Sequence, residues 1–269
     1  MTKNEEIKDI KKFLHKVYKT YHKEKFIHPD PLEFVYKEND LIQREIKGII
    51  ASSLAFGNVK QILKSVSYLL NKMGGNPYKF LMSASKKDLY NHFFGFKHRF
   101  IGTDVICALL EGIKKILNTY GSFEYLFLKG ISKTGSIIDG ISSFVKELEK
   151  ASDKNLKFLI PSPEKGSACK RINLFLRWMV RKDNIDPGGW ENIPKSILLI
   201  PLDTHMHKIS LILGFTNKKT KDLKTAIEIT NNFKVLAPGD PVKFDFSLTR
   251  IGINRISSAL LKKQTGFAS

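Results

Sequence analysis

The chain has 269 residues, with 45 Lys and Arg against 26 Asp and Glu, giving a net charge of +19. Its 42% hydrophobic content and 19 phenylalanines suit a globular protein with a sizeable core and exclude a disordered one. Two cysteines are too few for a Cys-ligated iron–sulfur cluster or a zinc ribbon, and no apolar run approaches the roughly 18 residues of a spanning helix.

The N-terminus, MTKNEEIKDIKKFLHKVYK, alternates charge and bulk and lacks the apolar region of a secretory signal. We therefore expect a cytoplasmic protein with no membrane partner. Helical spacing then recurs along the chain. Ile7, Ile10, Phe13, Leu14 and Val17 mark an amphipathic helix over 5–24, which HPDP (28–31) ends, because proline disfavours helix at the residue before it. A buried helix is predicted over 40–56, capped by Asp40, and another over 59–73, closed by Gly74-Gly75. Short helices follow at 76–84 and 86–94.

Residues 103–118 predict a strong helix with Thr103 or Asp104 as its cap, and 135–150 another. LKFLIPSPEKGS (156–167) is a connection leading to a helix over 168–182, followed by the loop DNIDPGGW (183–190). Helices are expected at 204–213, 220–233 and 241–262, the last with Asp240 as cap and Pro241 in its first turn. Alternating strand patterns are nearly absent, so the fold class is all-α. GGNP and PGGW lack the Lys-Ser/Thr of a P-loop, and no serine lies in a G-x-S-x-G elbow.

The charge invites a polyanionic partner such as nucleic acid. Only seven of the 45 basic residues are arginine, however, so a lysine-rich composition explains part of it. Arg171, Arg177 and Arg181 cluster, and Arg250 and Arg255 lie near the end; bidentate donors grouped this way suit phosphate or carboxylate. His205 and His207 would point to different faces of a helix, so we expect no metal and no cofactor.

The stretch Pro161–Gly214 carries the candidate chemistry. Gly166 and Ser167 precede a helix whose N-terminus presents free N–H groups suited to phosphate. Lys170 begins that helix, and a cationic neighbourhood favours the nucleophilic form of an amine. Asp203 ends the apolar run SILLIPL and precedes THMHKISLIL, as a helix cap would. Capping does not compete with catalysis, since a carboxylate held by helix N–H groups can also stabilise a cationic transition state.

PLDTHMHKISLILG resembles the V-D-T-H-hydrophobic-x-R-V motif of the helix-hairpin-helix (HhH-GPD) DNA glycosylases, and KRINLFL (170–176) their K-T-A-N-V-V-L. FFGFKHRFI (93–101) is similar to their G-x-x-x-R-A-x-Y-I, and IIASSLAFGNVKQI (49–62) occupies the place of their first core helix and following loop. Three departures stand out. PSPEKGSA replaces the L-P-G-V-G hairpin; RKDNIDPGGWENIPKS lengthens the spacing between Lys170 and Asp203; and the C-terminal four-cysteine cluster is missing. The longer spacing, I-P-L-D and F-x-x-x-M (175–179) look more like archaeal 8-oxoguanine DNA glycosylase. The whole chain resembles the bacterial family DUF2400, whose name brings no activity.

The resemblance implies a two-lobed helical fold with a cleft between the lobes. It divides the chain into an N-terminal helical extension (1–30), a glycosylase-like domain (31–262) and a C-terminal tail (263–269). It implies a base-excision-repair glycosylase with AP lyase activity on an oxidised purine such as 8-oxoguanine in double-stranded DNA, acting as a monomer on the nucleoid. Lys170 would form a Schiff base and Asp203 stabilise the developing charge. Gly166, Ser167, Arg171 and Lys208 would hold DNA, with Phe56, Asn58 and Trp178 as base-pocket candidates. The alternatives are a non-catalytic DNA- or RNA-binding protein on the same scaffold, motivated by the altered hairpin, and a protein-interaction or RNA-processing role in which the charge is merely compositional.

Overall fold

Apolar residues spaced for one face of a helix bury that face and leave lysines outside, and this pattern builds nearly every element of the computed structural model, which describes residues 3–132 and 134–253. Among them are thirteen α-helices and one two-stranded hairpin. The helices are α1 (Lys3–Tyr21), α2 (Glu33–Tyr36), α3 (Leu41–Ser53), α4 (Val59–Lys72), α5 (Pro77–Ser83), α6 (Lys86–His92), α7 (Thr103–Tyr120), α8 (Phe123–Ile131), α9 (Ile137–Ser152), α10 (Lys170–Val180), α11 (Thr204–Ile212), α12 (Leu223–Leu236) and α13 (Asp245–Ile253). Strands β1 (Lys97–His98) and β2 (Ile101–Gly102) pair antiparallel between α6 and α7. The fold is all-α, as the periodicity predicts. No helix among the described residues is long and apolar enough to cross a membrane.

Two groups of contacts organise the helices. In the first, α7, α8 and α9 pack on one another, and α10 lies along α3. Gly48 permits that last approach: a Cβ there would stand 3.0 Å from the Phe175 ring. Gly130 and Gly140 do the same for α8 and α9, where an added Cβ on Gly130 would meet the Gly140 Cα at 2.8 Å. In the second group, α1 and α11 both pack on α13. Ile10, Phe13, Leu14 and Val17 of α1 are buried in the same apolar core as the rest, so residues 3–21 are an integral wall of the fold.

Several local features differ from the expectations. Helix α8 is an addition to the expected elements: Phe123, Leu126, Phe127, Gly130 and Ile131 form its buried face, but Tyr125 and Leu128 on the other side blur that pattern within nine residues. The short α2 and the β1–β2 hairpin were also missed. Helix α7 is capped by Gly102, not by Thr103 or Asp104, because the Thr103 hydroxyl donates instead to the Phe93 carbonyl at 3.1 Å. The final helix begins at Asp245 rather than Pro241: Asp240 does not cap, since both its oxygens take Arg181 Nε, at 3.0 and 3.2 Å. The rest of the predicted 241–262 helix beyond Ile253, with Arg255 and the 263–269 tail, lies outside the described residues.

Candidate functional site

Helix α10 starts abruptly because Cys169 takes a left-handed backbone (φ +49°) that no helix can include. The turn is fixed on both sides: Cys169 N–H donates to Ser167 Oγ at 3.1 Å, and the Asn173 side-chain amide reaches back to the Ala168 carbonyl at 3.0 Å. Cys169 has no side-chain cap bond to offer, so the first amides of α10 keep no helical acceptor. Lys170 is the first residue of the helix, placed by this turn. Its Nζ donates to the Ala55 carbonyl at 3.3 Å, in the turn after α3.

Asp203 arrives from the opposite direction. Leu198, Leu199, Ile200 and Leu202 are buried, and Ile200 N–H is tied to Thr230 Oγ1 of α12 at 3.1 Å, so the strand-like run leading to Asp203 is anchored. Asp203 then caps α11, its Oδ1 accepting Met206 N–H at 2.8 Å. One oxygen is spent on the cap. The other, Oδ2, lies 3.8 Å from Lys170 Nζ. That separation is within Coulombic reach but beyond a hydrogen bond. The two side chains retain 33% and 22% of their accessible surface, so a ligand can reach both.

The pair stands where two cavities meet. An inner cavity of about 390 Å³ runs from Lys170 and Asp203 toward Asp30, Arg177, Asp245 and Arg250. An outer one of about 520 Å³ opens past Phe56, Ser167, Arg171 and Lys221. Ala55, Gly57, Lys170, Asp203 and His205 line both. The inner volume lies within the roughly 300–1,000 Å³ of small-molecule sites.

A buried ionic frame supports the inner cavity. Arg177 donates to Asp186 at 3.1 Å and to Asp245, and Arg181 to Asp186, to Asp183 at 2.7 Å and to Asp240. Arg250 reaches Asp30 at 2.5 Å. Burial opposes the charge on Arg177, but Asp186 and Asp245 outweigh it and hold the guanidinium above its ordinary value. Burial pushes the Asp245 carboxyl up to about 6; Arg177 pulls the other way and the charge of Asp203 adds to the rise.

The family described as "Protein of unknown function (DUF2400)" matches residues 30–254, from the loop that lines the inner cavity through α13. The chain belongs to the DUF2400 family. No curated protein and no solved structure matches it.

In this DUF2400 chain the other candidate residues are dispersed. Ser167, Arg171 and Phe56 line the outer cavity beside the pair. Arg171 Nη1 is engaged by the carbonyls of Phe158 (2.5 Å) and Ser53 (3.3 Å), and its guanidinium covers the Phe56 ring at 4.9 Å. Burial draws that guanidinium down to about 10, which leaves it charged at neutral pH. Gly166 is exposed, with a φ of +76°, and its carbonyl accepts Leu223 N–H at 2.9 Å. Lys208 is exposed on α11 and lines neither cavity. Asn58 caps α4, its Oδ1 accepting Lys60 N–H at 2.9 Å, so that oxygen is occupied by the cap. Trp178 is fully buried in the core and lines neither cavity, because its face of α10 turns inward. Of the two histidines, His205 borders both cavities while His207 is buried against the Lys218 carbonyl at 2.8 Å.

Sequence reasoning missed Gly57, Asp30, Asp245 and the role of Arg177. Gly57 had a signal: it sits between two helices with a φ of +93°, where other residues are strained. Asp30 and Asp245 had none, since the loop before α2 and helix α13 reach the site only through tertiary packing.

Proposed function

We propose that this protein is a DNA glycosylase with AP lyase activity, acting on an oxidised purine nucleotide displaced from double-stranded DNA, on a two-lobed HhH-GPD scaffold. The observation that supports it is the 3.8 Å approach of Lys170 Nζ to Asp203 Oδ2 at the junction of two reachable cavities. An enzyme acting on a base within a duplex must extrude the nucleotide into a pocket. The inner cavity would receive the base and the outer one the sugar-phosphate. The uncapped start of α10 lies at the outer cavity, where free amides and Lys221 suit a phosphate.

In this reading the unprotonated Lys170 amine attacks the anomeric carbon of the sugar. A C–N bond forms as the glycosidic bond breaks, and the base leaves with that electron pair and takes up a proton. Asp203, held by the Met206 amide, stabilises the positive charge that develops on the sugar. Ring opening then yields a protonated Schiff base, and loss of the 2′ proton expels the 3′ phosphate.

The test is borohydride reduction in the presence of a duplex carrying 8-oxoguanine or an abasic site. Wild type should form a covalent protein–DNA adduct, and Lys170→Gln should not. Absence of adduct from the wild type on both substrates, or equal trapping by the variant, overturns the proposal. A non-catalytic nucleic-acid binder is the second reading, supported by the turn at 163–166 that stands where the resemblance expects a helical hairpin. Salt-dependent DNA binding with no adduct would favour it.

A further inference from the structure

Three phenylalanine rings from distant segments form a continuous ladder beside the Lys170–Asp203 pair. Phe56 lines the outer cavity, the Phe100 ring lies 5.6 Å from it at a tilt of 34°, and the Phe158 ring lies 5.4 Å from Phe100, edge to face. The inner rung is fixed: Phe56 packs on the buried His98 ring at 4.8 Å and is covered by Arg171. The outer rungs are open to solvent, Phe100 at 61% and Phe158 at 58%. A single exposed ring is ordinary, but two large rings held in contact on a polar surface lose apolar burial that a partner would recover.

The backbone presents the rings deliberately. Phe100 sits in the two-residue turn of the β1–β2 hairpin, between His98 and Ile101, both buried. Its neighbour Arg99 takes a φ of +55°, a conformation that such turns usually give to Gly, Asn or Asp. Phe158 is held from the other side, its carbonyl accepting Arg171 Nη1.

Charge identifies the partner. Six arginines are described: Arg177, Arg181 and Arg250 are bound to carboxylates, and Arg44 donates to the carbonyls of Glu38 and Gly188. Arg171, like Arg44, is held by carbonyls rather than a carboxylate, those of Phe158 and Ser53; Arg99 pairs with no carboxylate among the described residues, and both Arg99 and Arg171 flank the ladder. Arg99 packs over Gly57, where an added Cβ would stand 2.9 Å from its Nη1. Lys157 lies 5.2 Å from the Phe158 ring, and Asp203 is the only carboxylate bordering the outer cavity among the described residues. Flat rings set among cations that no carboxylate neutralises fit a chain of nucleobases joined by phosphates, in which every base offers a π-face once it is unstacked. An acidic peptide would meet the cations but leave the rings uncovered.

We propose that Phe100 and Phe158, backed by Phe56, are a stacking surface for unpaired nucleobases of single-stranded DNA, with Arg99 and Lys157 placed for its phosphates, so that the protein takes unpaired DNA in preference to duplex. This binding does not require Lys170 to react. The experiment is fluorescence anisotropy of undamaged, labelled oligothymidine of about 16 nucleotides against a duplex of equal length. Wild type should bind the single strand more tightly. Phe100→Ala and Phe158→Ala should each weaken single-strand binding about tenfold, leave duplex binding and the salt slope unchanged, and retain the wild-type circular dichroism spectrum. Phe100→Trp should restore affinity, with its indole fluorescence quenched by the oligonucleotide. Wild-type single-strand affinity in both alanine variants, or a wild-type preference for duplex, overturns the proposal. Undamaged DNA forms no Schiff base, so failed trapping alongside ladder-dependent binding removes only the lyase reading, and trapping with ladder-independent binding removes only this one.

Discussion

Replacing Asp203 separates its two duties. Asp203→Asn keeps an oxygen for the Met206 amide, now accepted at 2.8 Å, while Asp203→Ala removes it. Asn and Asp are comparable caps and Ala is poor, so the alanine variant should lose about 1 kcal/mol, within a range of roughly 0.5–2. Loss of charge adds a little in both variants. Two unit charges 3.8 Å apart interact by about 1 kcal/mol in water and about 4 at an effective dielectric of 20. With both side chains partly exposed, solvent screening keeps the Lys170 interaction near or below the lower figure. The asparagine variant should therefore melt within a few degrees of wild type, and the alanine variant below it by about a further 2–4 °C per kcal/mol. Chemistry should not follow that order. Both variants lose the charge facing the reacting sugar, and both should form adduct on the order of 100-fold more slowly in single-turnover trapping. Asparagine trapping at the wild-type rate would refute a role for the charge. Equal melting of the two variants would refute the cap.

Gly57→Ala places a side chain at a φ of +93° and 2.9 Å from Arg99 Nη1, so urea denaturation should show a loss of at least about 1 kcal/mol, with nucleic-acid binding reduced as Arg99 is displaced. Arg99→Gly should do the opposite to stability, since glycine accepts a φ of +55° freely: a gain of up to about 1 kcal/mol by denaturation, but weaker oligonucleotide binding by anisotropy. Burial opposes ionisation of Asp183, yet the His22 contact and Arg181 hold its carboxyl well below the usual range. A lowered folded pKa means that its stabilisation is complete above the unfolded value near 3.8 and is lost as pH falls below it. Asp183→Asn should therefore flatten the acid limb of a stability–pH curve below about pH 4, and an unchanged limb would refute the assignment.

The sequence made the long amphipathic helices legible because one buried face imposes a 3.6-residue period, as in α4 and α9. It hid α8, where exposed Tyr125 and half-buried Leu128 blur the single buried face of Phe123, Leu126, Phe127, Gly130 and Ile131, and the hairpin, whose strands are too short for alternation to register. Asp240-Pro241 misled for a different reason: a cap signal is local, but the carboxylate was claimed by Arg181 from α10. At the site, Lys170 and Asp203 were marked by the residues around them, a turn before a helix and a carboxylate after an apolar run. The ladder was not, because Phe56, Phe100 and Phe158 share no segment, and an exposed phenylalanine looks the same in sequence as a buried one. Trp178 shows the converse, a large aromatic on the right helix but on its inward face.

Lys170 and Arg177 stand two turns apart on one face of α10, and both border the inner cavity. Arg177 is fastened to Asp186 in the following loop and to Asp245 on α13, in a setting where removing one partner costs about 3–5 kcal/mol. The helix that carries the lysine therefore cannot slide or rotate toward a substrate without breaking that frame. Under the proposed chemistry the protein acts as an anvil, and the deformation falls on the nucleic acid. Turnover should then track how readily a nucleotide leaves its stack, so flanking bases that stack weakly would speed the reaction without touching the protein.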